Sequence, residues 1–180
     1  MNNINEYALS QLLNELNLIE DPSIRGFAAE CISKAPGEYW KRPSAFFKGH
    51  HPDDELGGWG NLIHVKKVIV IAQILCDIED IPKADRDILY AGLIIHDIGK
   101  YGVDGKAPRI QVGHPELVPQ IVGNMGVIFI PGIWEQIRGV ALSHMGRWGN
   151  IKPVTAIEKI GHYADAIGSR HSIRIQVTIR

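Results

Sequence analysis

The chain has 180 residues, of which 45% are hydrophobic and 22% charged, with a formal net charge of −1. This is ordinary usage for one compact domain spanning residues 1–180; it excludes a disordered chain and a general basic field for nucleic acid, which would need a local patch. Cys31 and Cys76 lie in helix-like apolar stretches without CxxC or zinc-ribbon spacing and read as reduced, buried thiols.

Residues 1–7 lack a basic segment followed by an apolar run, so they do not read as a signal peptide. Leu9, Leu12, Leu13, Leu16 and Ile19 recur at helical spacing over residues 5–19. Asp21-Pro22 then reads as an N-cap with proline at the first helical position, opening a second helix to about Lys34. Residues 43–60 are rich in Pro, Gly, His and Asp without a sustained period, which predicts a long functional loop. A third helix is expected from Asn61, as N-cap, to about Asp80. Its most apolar part, residues 68–75, is too short to span a bilayer, so the expected location is cytoplasmic and no membrane partner is expected.

A fourth helix is expected from about Lys83 to Ile98, stopping at Gly99. Ile88, Leu89, Ala91, Leu93, Ile94, Ile95 and Ile98 make it apolar on nearly all faces, so it should be central and buried. After a loop over residues 101–113, His114-Pro115-Glu116 begins a fifth helix that stops near Gly123. Two more are expected over residues 132–145 and 153–167. Strand patterning appears only in residues 172–180, where Ile173, Ile175, Val177 and Ile179 alternate with polar side chains. That tail reads as an edge strand, a dimer contact in a possible homodimer, or the first strand of something further. The fold class is all-α, a helical bundle with a possible short C-terminal strand.

Eight histidines are the unusual feature, and their placement is regular. His64, His96-Asp97, His114, His144 and Asp165 fall near the ends of five successive helices. A histidine and an aspartate side by side in a buried segment must be satisfied by a partner, and a cation is the natural one. Imidazole with carboxylate suits Mn, Fe, Zn, Ni or Co.

His64, His96-Asp97 and Asp165 together resemble the H…HD…D signature of the HD superfamily of metal-dependent phosphohydrolases, and residues 92–100 are similar to its HDxGK segment. Residues 143–149, Ser-His-Met-Gly-Arg-Trp-Gly, followed by His162-Tyr163-Ala164-Asp165, most resemble the HD domains of exoribonucleases and their small single-domain relatives. The resemblance covers about residues 57–169. It implies an HD-domain bundle with one metal on His64, His96, Asp97 and Asp165. A second would be bridged by Asp97 and held by His114 and His144. Two such ions, about 3.5–4 Å apart, would activate a water and clamp a phosphoryl oxygen.

Lys100 reads either as an ammonium for a phosphate oxygen, with a catalytic and substrate-binding role beside Asp97, or as a solvated lysine at a helix C-terminus. Arg147 is a candidate phosphate ligand; Trp148 reads as a plug in its loop. His50, His51, Asp53 and Asp54 are candidates for substrate or outer-shell contacts, and His162 and His171 read as structural or exposed. The expected function is hydrolysis of a phosphomonoester or phosphodiester in a nucleotide or short oligonucleotide. Exoribonucleases of this type carry an OB-type RNA-binding module ahead of the HD domain, for which this sequence shows no counterpart. That and the near-neutral charge point to a small phosphorylated partner, a nucleotide, and away from duplex nucleic acid. The alternatives are a di-iron oxygenase on the same fold and a nucleotide-binding regulatory module without turnover.

Overall fold

Leucine spacing at the N-terminus produces helix, but not one continuous helix. In the computed structural model, which describes residues 3–47 and 51–179, it forms α1 (Asn3–Gln11) and a single turn, α2 (Leu13–Leu16). They break at Leu12, whose amide is shared between the Ala8 and Leu9 carbonyls. Ala8, Leu12, Leu16 and Ile19 are buried, whereas Leu13 turns outward. α3 (Pro22–Ser33) starts as its cap residues dictate: the Asp21 carboxylate accepts the Ser23 and Ile24 amides at 2.7 and 3.1 Å.

α4 (Gly60–Ile78) departs from expectation at its start. Asn61 is not the N-cap; it is buried in the first turn and donates Nδ2–H to the Tyr39 carbonyl at 2.7 Å. The cap position is Trp59, in the left-handed region at φ 67°. The helix stops at Ile78 rather than Asp80 because Asp80 adopts φ 49°, and the Ile81 amide returns to the Cys76 carbonyl at 3.0 Å, a Schellman closure. α5 (Lys83–Ile95) is the central helix expected from its composition: residues 87–100 are buried without exception. It packs against α3 and α4, and on its other sides against α8 (Trp134–Ser143) and α9 (Ala156–Gly168). Asp87 ties it to the α3 cap by accepting the Glu20 and Asp21 amides.

The fifth expected helix is divided. His114–Leu117 is a 3-10 turn running into the short α6 (Val118–Val122), since Pro115 and Pro119 leave two amides out of any helical ladder. A further short helix, α7 (Met125–Phe129), precedes α8. α9 opens on a capping box between Thr155 and Glu158.

The fold is all-α, and the described residues contain no strand. Residues 172–179 keep their period of two, with Ile175, Val177 and Ile179 half-buried and their neighbours exposed, but no second strand runs beside them to form a ladder. No helix among the described residues is long and apolar enough to cross a membrane.

Candidate metal centre

Helix ends deliver the site. His64 lies in the second turn of α4. His96 is the residue on which α5 ends, and Asp97 sits in the tight turn that follows, closed by the Lys100 amide on the Asp97 carbonyl at 2.9 Å. His114 opens the 3-10 turn, His144 caps the C-terminus of α8, and Asp165 is in the last turn of α9. Gly146, two residues beyond His144, adopts φ 52°, and a Cβ there would lie 2.2 Å from the His162 ring. His162 uses that space to donate Nδ1–H to the His144 carbonyl at 2.7 Å, a structural role that holds the turn.

Four of the expected ligands, all histidines, converge on a fifth, Asp97, and Asp165 meets two of them. Its Oδ1 lies 2.9 Å from His114 Nε2 and 3.5 Å from His144 Nε2. Its Oδ2 lies 3.3 Å from His96 Nε2 and 3.7 Å from His64 Nε2. Asp165 Oδ1 approaches His64 Nε2 at 3.0 Å and His96 Nε2 at 3.8 Å. The far side of each ring is fixed by an acceptor: Leu93 O for His96, Ala141 O for His144, Gln111 O for His114 and the Glu55 carboxylate for His64. A carbonyl can only accept, so Nδ1 of His96, His114 and His144 carries a hydrogen, and Nε2 is the ring atom turned inward to the centre.

The centre is therefore lined with inward imidazole nitrogens and carboxylate oxygens, the atom types that ligate a metal. His114 Nε2 and His144 Nε2 are 3.2 Å apart, and the fully buried His96 Nε2 has no hydrogen-bond partner. A buried imidazole nitrogen without a partner, beside two more nitrogens and a carboxylate, is the arrangement a cation satisfies. The donor set fits a divalent transition metal: imidazole Nε2 and carboxylate oxygen, with oriented outer partners. His64, His96 and Asp165 form one group able to hold an ion, and His96, Asp97 and His144 another.

The electrostatics agree. Burial alone would raise Asp97, but Lys100 and His96 hold its carboxyl well below the usual carboxylate range. Asp165 is likewise lowered against burial, by His64 first. Burial disfavours charge on His64, yet Glu55 and Asp165 overcome it and push its pKa up to about 9. The carboxylates thus favour positive charge at the centre.

Glu55 is the residue the sequence did not disclose. It is fully buried, accepts from His51 Nδ1 at 2.7 Å and His64 Nδ1 at 3.1 Å, and lies 3.2 Å from Lys67 Nζ. Burial alone would raise its carboxyl, but His64 and His51 hold it well below the usual range. The Lys67 ammonium makes this group a poor cation site and a good hydrogen-bond anchor. Glu55→Gln is expected to weaken metal affinity by about 10–100-fold with the helical circular dichroism retained, read by metal titration. Affinity within twofold of the parent would show that Glu55 does not orient His64. Asp54 pairs with Lys67 at 2.6 Å, Asp53 is exposed nearby, and His50 lies outside the described residues.

Lys100 is not a solvated helix-end lysine. It is buried, with Nζ 2.5 Å from Asp97 Oδ2 and 3.1 Å from Ser44 Oγ. A cleft of about 1210 Å³ opens over His144 and Asp165, with Phe46, Phe47, Arg109, Arg147, Trp148 and Arg170 in its walls. Trp148 does not plug its loop; it is 60% exposed, with the Arg147 guanidinium 4.4 Å above its ring. The cleft walls are tied together by Arg42, which donates to the Ala107 carbonyl at 2.8 Å and covers the Tyr101 ring. His171 is exposed, outside the site.

A family model described as HD domain matches residues 61–169. The chain is 29% identical over 183 residues to the 3'-5' exoribonuclease YhaM of Geobacillus sp. (strain WCH70), covering 92% of this chain and 52% of that protein. It is 27% identical over 168 residues to the 3'-5' exoribonuclease YhaM of Bacillus velezensis, covering 84% of this chain and 50% of that protein. The chain spans about half the length of the curated relatives it matches. No solved structure matches it. The expectation of a small phosphorylated partner, a nucleotide, and no duplex nucleic acid is overturned by these relatives, which are named for action on RNA. Overall charge misled because it averages out the three arginines around the cleft.

Proposed function

The chain belongs to the HD-domain family of metal-dependent hydrolases, and on that premise we propose that it cleaves phosphodiester bonds of single-stranded RNA from the 3′ end. One or two divalent transition metal ions would be held by His64, His96, Asp97, His114, His144 and Asp165. The observation that carries this reading is the convergence of four imidazole Nε2 atoms on one buried carboxylate, one of them without a hydrogen-bond partner. Bound there, such an ion supplies a Lewis acid for a phosphoryl oxygen and lowers the pKa of a water.

The protein's own groups do the rest. Asp97, touching four imidazoles through its two oxygens, sets the spacing of the centre. Lys100 donates to Asp97, and from that place its Nζ–H groups would offset charge building on a phosphate bound at the centre. Arg147 offers a planar donor fork to a phosphate. Phe46, Phe47 and Trp148 present exposed rings next to guanidinium groups, the combination that grips a single strand through stacking and phosphate pairing.

Metal analysis of protein purified without chelator, followed by incubation with 5′-labelled RNA and added Mn²⁺, tests the proposal. We expect one to two equivalents of transition metal and products shortened from the 3′ end. Iron with O₂ consumption and no RNA cleavage would overturn it, as would a metal-free protein without turnover.

A further inference from the structure

Two cavities meet at Trp148. The larger is the cleft over His144 and Asp165. The smaller, about 240 Å³, lies beside His114 and is lined by Gln111, Glu116 and Asn150 among others; Ile110, Met145 and Trp148 line both. His114 and His144 meet on the same oxygen, Asp97 Oδ1, so a phosphate held at that point opens into a different cavity on each side.

The two cavities differ in charge. Arg109, Arg147 and Arg170 belong to the larger one. The smaller has Glu116, which accepts from Asn150 Nδ2 at 2.9 Å through Oε1, while its Oε2 has no hydrogen-bond partner. Guanidinium groups beside exposed rings suit a run of phosphates and bases. A carboxylate repels a phosphate and accepts from hydroxyls, so it suits the end of a strand.

Building on the RNA reading above, we propose that Trp148 divides the bound strand. The upstream nucleotides lie in the larger cavity, and a single 3′-terminal nucleotide sits in the smaller one, with its ribose hydroxyls on Glu116. Water adds to phosphorus there, and the bond from phosphorus to the upstream 3′ oxygen breaks. That oxygen takes the proton given up by the water and leaves as a 3′-hydroxyl, while the terminal nucleotide departs with the phosphate on its 5′ oxygen. At about 240 Å³ the small cavity suits one nucleotide, and its lining residues include no lysine or arginine for a second phosphate, so each cut removes one.

The test compares two RNA oligonucleotides of one sequence, ending in a 3′-hydroxyl or a 3′-phosphate, with product lengths read on a denaturing gel. The parent protein is expected to release mononucleotides and to prefer the hydroxyl end by about tenfold or more in kcat/KM. Glu116→Gln should narrow that ratio through faster cleavage of the 3′-phosphate strand, with metal content as the check on folding. Equal rates on the two ends by the parent protein would overturn the assignment. So would products longer than one nucleotide, or an unchanged ratio in Glu116→Gln. RNA left uncut at both ends would instead sink the RNA reading, and the terminal pocket with it.

Discussion

Replacing Asp97 with asparagine is expected to remove metal and hydrolytic activity together while leaving the helices in place. Asparagine keeps the volume of the side chain, so the packing of a residue that is 2% exposed is conserved. What is lost is the negative charge against which His64, His96, His114 and His144 are all arranged. The amide also brings an N–H₂ group to one of the two oxygen positions and can offer only one acceptor to two groups of ligands. Lys100 loses its closest partner and keeps Ser44, which leaves a buried ammonium less well compensated. Metal catalysis contributes several kcal/mol to phosphoryl transfer, so activity should fall by about 10³-fold or more. Elemental analysis and RNA cleavage, with far-UV circular dichroism as the fold control, decide it. An Asp97→Asn protein that keeps its metal and a tenth of its activity would remove Asp97 from the centre of the mechanism.

The parts of this site that could be read in advance are those announced by local pattern. An apolar helix ending in His-Asp, and histidines recurring at helix ends, are visible because helical periodicity fixes where those ends fall. The structure places the six residues together for the same reason: α4, α5, α8 and α9 are packed with their site-bearing ends at one side. Glu55 and Ser44 left no such trace. They reach the centre through the 43–60 loop, in which Glu55 is carried by a 3-10 turn and neither residue lies on a periodic face. The arginine wall was invisible for a related reason, since Arg109, Arg147 and Arg170 come from three separate segments and cancel in a net charge of −1. The C-terminal alternation was real, with odd residues 175–179 against the protein, but a strand needs a neighbour as well as a pattern.

The position where that loop meets α4 should be as sensitive as the metal ligands. Gly60→Ala is expected to destabilise the metal-free protein by about 3 kcal/mol or more, toward the upper end of overpacking costs. A Cβ at Gly60 would lie 2.2 Å from the Glu55 carbonyl oxygen, 2.6 Å from the Ser44 amide nitrogen and 2.8 Å from Pro43 Cα. All three are backbone atoms, so no side chain can rotate away. The methyl would also enter the hydrogen bond from the Ser44 amide to the Glu55 carbonyl, 2.8 Å long, that closes the loop. Displacing that bond moves Glu55 off His64 and Ser44 off Lys100 together, so metal affinity should fall along with stability. For a chain of this size the thermal midpoint should drop by about 6–12 °C. Gly26 supplies the control, because a Cβ there meets nothing within 4 Å inside α3 and alanine should stabilise that helix slightly. A Gly60→Ala protein that melts within about 2 °C of the parent would mean that the loop yields at no cost, and that Glu55 is not held against His64 by its backbone.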